Sequence, residues 1–386
     1  MRVRVLALLL VSTSSCGTDV AALDDDAGEA ARDAGPSSED ASADAGRSAD
    51  AADDGGLDPR GPGGVFDLEG YPSGGITQTE VEVDGRRLLV NGEPYEIRGV
   101  CWSPVPRGQS VPVDWSSELA AEDVPLMWAA GINTVRNYSP ILDEGLLDAL
   151  AAAGIRVIQD VYSLGSRDPS TALQIVEAQR DHPAILMWAL GNEWNYNGLY
   201  VGIDAGEVER RLEALAAEIE AIDPDHPIAT SHGELPSEAR LRAMPSIDVW
   251  GLNVYRGDQF FGLIEDWAER SNKPMFLAEF GADAYDSRID APNLRAQADA
   301  TRRLTAEIVE KSVARSSAGV VLGGTIFAWS DEWWKDASGS VDVHDTGGIA
   351  PGGGPPPDRT FNEEWWGLVD IDRNPRPALL EYRDAY

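Results

Sequence analysis

The chain has 386 residues, of which 66 are acidic and 31 are basic, so its net charge at pH 7 is −35. Such a charge repels nucleic acid and anionic polysaccharide, which excludes a nucleic-acid-binding role. The chain has two cysteines, Cys16 and Cys101. This number excludes a disulfide framework.

The first residues have the pattern of an export signal. Arg2 and Arg4 precede a short apolar run that cannot span a bilayer, and small residues then lead to Cys16. Residues 1–16 are therefore predicted to be a lipoprotein-type signal, with Cys16 as the lipidation site and simple secretion as the alternative. We expect an exported protein, held at a bacterial cell envelope through this anchor alone.

Residues 17–74 are rich in Asp, Ala, Gly and Ser, and Phe66 is their first aromatic residue. A segment of this composition cannot bury enough apolar surface to fold. It is predicted to be a disordered acidic linker.

Residues 75–386 begin with a predicted β-hairpin that turns at Asp84-Gly85 and Asn91-Gly92. We expect the hairpin to cover the floor or edge of the domain. Strand-like and amphipathic stretches then alternate to the end of the chain. The predicted strands are Tyr95–Cys101, Asn133–Asn137, Arg156–Val161, Ile185–Leu190, Pro227–Ser231, Asp248–Val254, Pro274–Ala278 and Val320–Trp329. The predicted helices are Ser117–Ala130, Glu144–Ala153, Thr171–Gln179, Gly206–Ile222, Ser237–Met244, Phe261–Ser271, Asn293–Ser317 and Pro377–Tyr386.

Eight strand–helix units of this length predict an α/β fold, a (β/α)8 TIM barrel spanning residues 75–386. The alternative is a doubly wound open sheet. That fold usually has a glycine-rich phosphate loop after its first strand, whereas the first strand here continues as "GVCWSPVP".

In a barrel, the side chains at the carboxyl ends of the strands form the active site. Two of these residues are glutamates, Glu193 after the fourth strand and Glu279 after the seventh. Cleavage of a glycosidic bond needs two carboxyl groups on either side of one carbon. Arg136 and Tyr255 could keep Glu279 ionised, while repulsion between the two carboxylates would raise the pKa of Glu193.

Other strand-end residues are candidates for binding the sugar. Tryptophans offer flat apolar faces to the CH surfaces of pyranose rings. The predicted sugar-binding residues are Asn192, Arg136, Tyr255, Trp329, Trp102, Trp194 and His232, although His232 could equally be structural.

The motifs around these residues resemble glycoside hydrolase family 2. "DHPAILMWALGNEW" resembles the acid/base strand of that family, and "KPMFLAEFGAD" resembles its nucleophile strand, especially in the β-glucuronidase branch. "GGTIFAWSDEWW" is similar to its closing segment. The resemblance implies that Glu193 is the acid/base and Glu279 the nucleophile. It also implies that Asn192 binds the sugar 2-hydroxyl, and that Trp329 forms the floor of the subsite on the non-reducing side of the scissile bond.

Three departures from the family bear on the substrate. We expect no β-sandwich domain before the barrel. The histidines that family galactosidases place after the first two strands are absent, and no Asn-x-Lys pair of the glucuronidase kind is present. One segment, "AAEDVPLMWAAGINTVRNYSP", also resembles fungal β-1,3-glucanosyltransferases.

We therefore expect a retaining hydrolase that cleaves β-glycosidic bonds of a neutral oligo- or polysaccharide, with β-glucan or mannan favoured. The alternatives are a β-glucan transglycosylase and a catalytically silent carbohydrate-binding protein. The two carboxyl groups are expected to lie about 5–5.5 Å apart. No metal or organic cofactor is predicted, because the sequence has no zinc-ligand or phosphate-loop motif.

Overall fold

A computed structural model describes residues 64, 66–72, 74–109, 117–335, 340–346 and 358–386. The predicted signal at 1–16 with Cys16, and nearly all of the predicted linker, lie outside these residues. Among the residues that the structure describes, no helix is long and apolar enough to cross a membrane.

Eight parallel strands close into a barrel, which confirms the predicted TIM-barrel fold. Each strand pairs with the next one along the chain, and the eighth pairs with the first. The strands are β1 (Ile97–Cys101), β2 (Thr134–Arg136), β3 (Arg156–Tyr162), β4 (Ile185–Asn192), β5 (Ile228–Gly233), β6 (Val249–Asn253), β7 (Met275–Phe280) and β8 (Val321–Ile326).

Helices connect the strands and form the outer layer. They are α1 (Ser117–Ala129), α2 (Glu144–Ala152), α3 (Pro169–Gln179), α4 (Trp194–Asn197), α5 (Ala205–Ile222), α6 (Glu238–Ala243), α7 (Leu263–Arg270), α8 (Leu294–Glu310) and α9 (Pro377–Ala385).

Local sequence explains several of these boundaries. Asp143 caps α2, because its side chain accepts hydrogen bonds from the Gly145 and Leu146 amides. Gly323 lets β8 pair closely with β1, since a Cβ at this position would lie 2.1 Å from the Ile97 carbonyl oxygen. Its φ of 123° also favours glycine.

The predicted hairpin is a three-stranded antiparallel sheet made of Val81–Asp84, Arg87–Val90 and Glu93–Pro94. Leu88 and Val90 belong to the same apolar cluster as the barrel residues Ile158 and Leu186. Because the chain leaves this sheet directly into β1, the sheet covers the amino-terminal end of the barrel. The carboxyl-terminal end is left for a site.

Three local features differ from the sequence prediction. The helix predicted to reach Ser317 ends at Glu310, because the chain turns there and the Val313 amide donates to the Val321 carbonyl (2.9 Å). The short helix α4 and the small hairpin of Tyr285–Asp286 and Ala291–Pro292 were not predicted.

Candidate active site

The two glutamates lie at the carboxyl-terminal end of the barrel. Glu193 directly follows β4 in a left-handed conformation with φ of 46°, and its amide donates to the Ser231 carbonyl of β5 (2.9 Å). Glu279 lies near the end of β7 and is 7% exposed. A positive φ at a glutamate is unfavourable, and such strain is typical of active sites.

Three side chains donate hydrogen bonds to the Glu279 carboxylate. Arg136 Nη1 lies 2.8 Å from Oε1, the Tyr138 hydroxyl lies 2.8 Å from the same oxygen, and the Tyr255 hydroxyl lies 3.0 Å from Oε2. The Arg136 and Glu279 side chains are 3% and 9% exposed. One cationic donor and two hydroxyl donors therefore hold the Glu279 carboxylate in place.

Asn192 is tied into the same network. Its Oδ1 accepts from Arg136 Nη2 (2.6 Å) and from Asn253 Nδ2 (3.1 Å). Asn253 also bonds the Glu193 side chain. Arg136 therefore connects the end of β4 to the Glu279 carboxylate.

Glu193 has a different electrostatic environment from Glu279. Burial, followed by the nearby charge of Glu279, raises the pKa of Glu193 to about 7. Glu193 can therefore carry a proton near neutral pH while Glu279 is paired with the Arg136 cation. Such a pair can supply one proton donor and one nucleophile.

Trp329 lies beyond β8, two residues after Phe327, which is joined to Ala328 by a cis peptide bond. Its amide donates to the Cys101 carbonyl at the end of β1 (2.9 Å). The indole is fully buried, and its edge faces the Phe66 ring. In this arrangement Trp329 packs at the top of the barrel between β8 and β1.

Three predicted sugar contacts, Trp102, Trp194 and His232, are held in the protein interior instead. Trp102 Nε1 donates to Asp123 (2.9 Å), and Trp194 Nε1 donates to Thr230 Oγ1 (2.9 Å). Both indoles are fully buried.

His232 is 3% exposed, and both of its ring nitrogens are occupied, by the Glu234 carbonyl and by Arg240. Its ring packs between Trp194 and Trp250. The structure therefore does not bring these three side chains into the network of the two glutamates. A side chain at a strand end can point toward the surrounding helices as well as into the barrel.

A charged cluster lies beside the two glutamates, and we call it the mouth cluster: Glu332, Lys335 and Glu363. Lys335 Nζ lies 2.8 Å from Glu332 Oε2, 3.7 Å from Glu363 Oε2, and 4.3 Å from the centre of the Phe327 ring. The Lys335 side chain is 31% exposed. The positive charge of Lys335 interacts with Glu363 and with the Tyr200 hydroxyl. The negative charge of Glu279 interacts with Lys335.

The site residues predicted from the sequence did not include Tyr138, Asn253 or the mouth cluster. Tyr138 follows Arg136 by two residues in "VRNYSP", so proximity to a predicted site arginine was the available signal. Asn253 is the last residue of β6. The rule that side chains at the carboxyl ends of barrel strands form the active site was therefore the available signal for it. Within the described residues, no group of three or more His, Cys, Asp or Glu side chains is arranged to hold a metal ion.

Residues 167–289, which include β4 to β7 and both glutamates, match the family described as "Glycosyl hydrolases family 2, TIM barrel domain". This part of the barrel resembles the glycosyl hydrolase family 2 TIM barrel domain. The predicted resemblance to that family is thereby confirmed.

Curated relatives of the chain include β-glucuronidases from animals and bacteria. The protein from Pongo abelii is 25% identical over 248 residues, which make up 57% of this chain and 36% of the relative. The protein from Paenibacillus borealis is 23% identical over 240 residues, 53% of this chain and 38% of the relative. The chain therefore spans little more than a third of the length of these relatives.

Solved structures support the same fold. A family 2 β-galacturonidase from Eisenbergiella tayi superposes with a TM-score of 0.57 at 18% identity, over 80% of this chain and 54% of that protein. A β-glucuronidase from Faecalibacterium prausnitzii gives a TM-score of 0.56 at 21% identity, over 79% and 51% of the two chains.

Proposed function

We propose that this family 2 barrel is the catalytic domain of a retaining β-glycoside hydrolase. The observation that carries the proposal is the asymmetry of the two glutamates. Glu279 is bonded by Arg136, Tyr138 and Tyr255, whereas burial and the charge of Glu279 raise the pKa of Glu193 to about 7. One group is thus suited to attack and the other to donate a proton.

The reaction has two steps. A Glu279 oxygen attacks the anomeric carbon while Glu193 donates its proton to the leaving oxygen, which gives a glycosyl–Glu279 ester and a free alcohol. Glu193, now ionised, then takes a proton from water, and the water oxygen displaces Glu279 from the anomeric carbon. The sugar leaves with its β configuration retained, and both glutamates return to their starting states.

The comparisons favour a β-uronide as the substrate. Relatives and structural neighbours are named as β-glucuronidases or β-galacturonidases. They lend no support to the neutral β-glucan or mannan expected from the sequence. An aryl β-D-glucuronide is therefore the first substrate to test.

A neutral sugar is the second candidate, because the mouth cluster favours it. Lys335 is a cation close to Glu279, and it is already paired with Glu332 and Glu363. The carboxylate of a uronide would have to compete with both acids for this cation. Matched 4-nitrophenyl β-D-glucuronide and β-D-glucoside separate the two classes by their kcat/KM values.

The mechanism itself is tested by trapping the ester. A 2-deoxy-2-fluoro aryl β-glycoside of the accepted sugar is expected to add one glycosyl group to Glu279, detected by mass spectrometry of the digested protein. Glu279→Gln should remain unlabelled, while Glu332→Gln, which removes a different buried acid at the mouth, should still be labelled. Turnover without any labelled Glu279 contradicts this mechanism.

Transglycosylation and silent carbohydrate binding give different results in the same assays. A transglycosylase forms the labelled ester but yields longer products at high oligosaccharide concentration. A silent binding protein turns over no substrate, and its Glu193→Gln variant behaves like the wild type.

We also propose that the protein is exported and anchored through a lipid on Cys16, as its amino-terminal sequence indicates. Radiolabelled palmitate should be incorporated into the wild-type protein and not into Cys16→Ser. Release of unlabelled wild-type protein into the medium supports simple secretion instead.

A further inference from the structure

The segment that follows the acid/base candidate has an unusual backbone. Three consecutive residues after α4, Gly198, Leu199 and Tyr200, have φ values of 56°, 55° and 59°. A left-handed conformation is unfavourable for leucine and tyrosine, so it persists only where the surroundings enforce it. The position of Tyr200 is therefore specified by the fold.

The surrounding contacts that enforce this conformation are well defined. Leu199 is fully buried, and its carbonyl accepts from the Gly165 amide after β3 (2.9 Å). Asn197 Nδ2 donates to the Asn192 carbonyl (2.7 Å), which ties the segment to the end of β4. Gly198 packs so closely against Ile203 that a Cβ at this position would lie 2.4 Å from the Ile203 carbonyl oxygen.

The charge of Glu193 acts on the Tyr200 hydroxyl more strongly than that of Glu279, which indicates that Tyr200 lies nearer Glu193. Its hydroxyl bonds the Asn192 side chain, and the charges of Glu193 and Glu279 both act on it. The residue is nevertheless 38% exposed. A partly exposed tyrosine beside the two glutamates can contact a bound molecule.

Two further apolar side chains at this position are exposed, Leu164 at 37% and Val201 at 43%. The loop after β3 and the Tyr200 segment meet here, since a Cβ on Gly165 would lie 2.7 Å from Val201 Cγ2. We call Leu164, Tyr200 and Val201 the Tyr200 patch. Exposed apolar patches beside polar groups are typical of ligand-binding surfaces.

The chemistry of the reaction indicates what would bind this patch. The acid protonates the oxygen of the leaving group, so the leaving group must lie on the Glu193 side of the scissile bond, and the sugar attacked by Glu279 lies on the other. We propose that the Tyr200 patch is the leaving-group subsite, which binds the sugar ring or aryl group released in the first step. This inference rests on the proposed glycosidase function.

A pair of substrates with the same sugar tests the subsite. The 4-nitrophenyl β-glycoside has an aryl leaving group, whereas the glycosyl fluoride of that sugar releases a single atom that cannot contact a ring. Tyr200→Ala is expected to lower kcat/KM for the aryl glycoside by about tenfold or more, as for the loss of one aromatic contact. The kcat/KM for the glycosyl fluoride should change by less than about threefold, because fluoride makes no contact with the ring.

Two further variants separate the contact made by the Tyr200 ring from other effects of substitution. Tyr200→Phe keeps the ring and removes the bond to Asn192, so it should retain most of the aryl preference. Tyr196→Ala removes a tyrosine of α4 that is 63% exposed and packs beside Gly233, so it should leave the aryl-to-fluoride ratio unchanged. Thermal unfolding confirms that each variant is folded.

The possible results are distinct. Equal losses on both substrates in Tyr200→Ala would mean that Tyr200 acts on the attacked sugar through Asn192, which overturns the subsite. No loss of kcat/KM on either substrate in Tyr200→Ala also overturns it, although the glycosidase function then stands. Absence of turnover and of Glu279 labelling in the wild type overturns the glycosidase function and the subsite together.

Discussion

Arg136 and Glu279 form an ion pair in the barrel interior, with Nη1 2.8 Å from Oε1 and both side chains less than a tenth exposed. Arg136→Met is expected to abolish detectable turnover, because Glu279 then lacks its cation. It should also lower the free energy of unfolding by about 3–5 kcal/mol, the cost of leaving a buried charge unpaired. Steady-state kinetics and urea unfolding measure the two effects.

The matched control for this variant is Arg87→Met. Arg87 pairs with Asp84, but the two side chains are 49% and 46% exposed. An exposed pair contributes about 1 kcal/mol at most, so this variant should retain full activity and nearly full stability. Equal losses of stability in the two variants would contradict the role assigned to burial.

The raised pKa of Glu193 predicts how activity depends on pH. Burial and the charge of Glu279 raise its pKa to about 7. The acid form is active, so kcat/KM should fall as pH rises through about 7. Asp160 is the control, because burial also raises its pKa to about 7. Asp160→Asn should keep the alkaline decline, and Glu193→Gln should lose it along with most activity toward substrates with poor leaving groups.

The same pKa shift affects stability with a definite sign. The Glu193 carboxyl has a higher pKa in the folded protein than its ordinary value of 4.5, so the folded state binds more protons than the unfolded state between the two values. Its stabilising contribution is present below pH 4.5 and is lost as pH rises through about 7. Relative to Glu193→Gln, the wild type should therefore lose unfolding free energy across this range. A gain over this range would contradict the raised pKa.

The two tyrosines that bond Glu279 should differ in importance. Tyr138 donates to Oε1, which also accepts a hydrogen bond from Arg136. Among the described residues, the only hydrogen-bond donor to Oε2 is Tyr255. Loss of one bond to a charged group costs about 1.5–3 kcal/mol. Tyr255→Phe should thus lower kcat/KM about tenfold to a hundredfold, and Tyr138→Phe should lower it less. The reverse order would show that Tyr138 is the main support of the nucleophile.

Sequence reasoning found the elements whose signal is local and repeated. The apolar run of β4 was placed to within two residues of its carboxyl end, and the alternation of strands and helices predicted a closed barrel. It placed the end of α8 seven residues too late, because the chain after Glu310 pairs with Val321, the first residue of β8. A helix boundary set by pairing with the next strand is not encoded in the helical pattern itself.

The site shows the same division. Glu193, Glu279, Arg136, Asn192 and Tyr255 were predicted, and the structure brings them into one network. Tyr138 belongs to that network but lies in a loop beyond β2, where no periodicity indicates its direction.

Trp102 provides the clearest test of the residues predicted to bind the sugar. It was expected to touch the sugar, but it is fully buried and donates to Asp123 Oδ2 of α1 (2.9 Å). Asp123 also accepts two hydrogen bonds from Arg373, at 2.9 and 3.1 Å, so the three side chains connect the end of β1 to α1 and to the segment before α9. We therefore expect Trp102 to contribute to the stability of the fold and not to sugar binding.

Trp102→Phe keeps an aromatic ring and removes the indole N–H. The lost hydrogen bond to a carboxylate and the smaller ring should together lower the free energy of unfolding by about 2 kcal/mol or more. At a temperature where the variant is fully folded, kcat/KM should stay within about twofold of the wild-type value. A change of that size is smaller than the effect of losing one hydrogen bond to the substrate. A large loss of kcat/KM with unchanged stability would instead return Trp102 to the sugar-binding site. Urea unfolding and kinetics on one preparation of each protein therefore decide between the two roles.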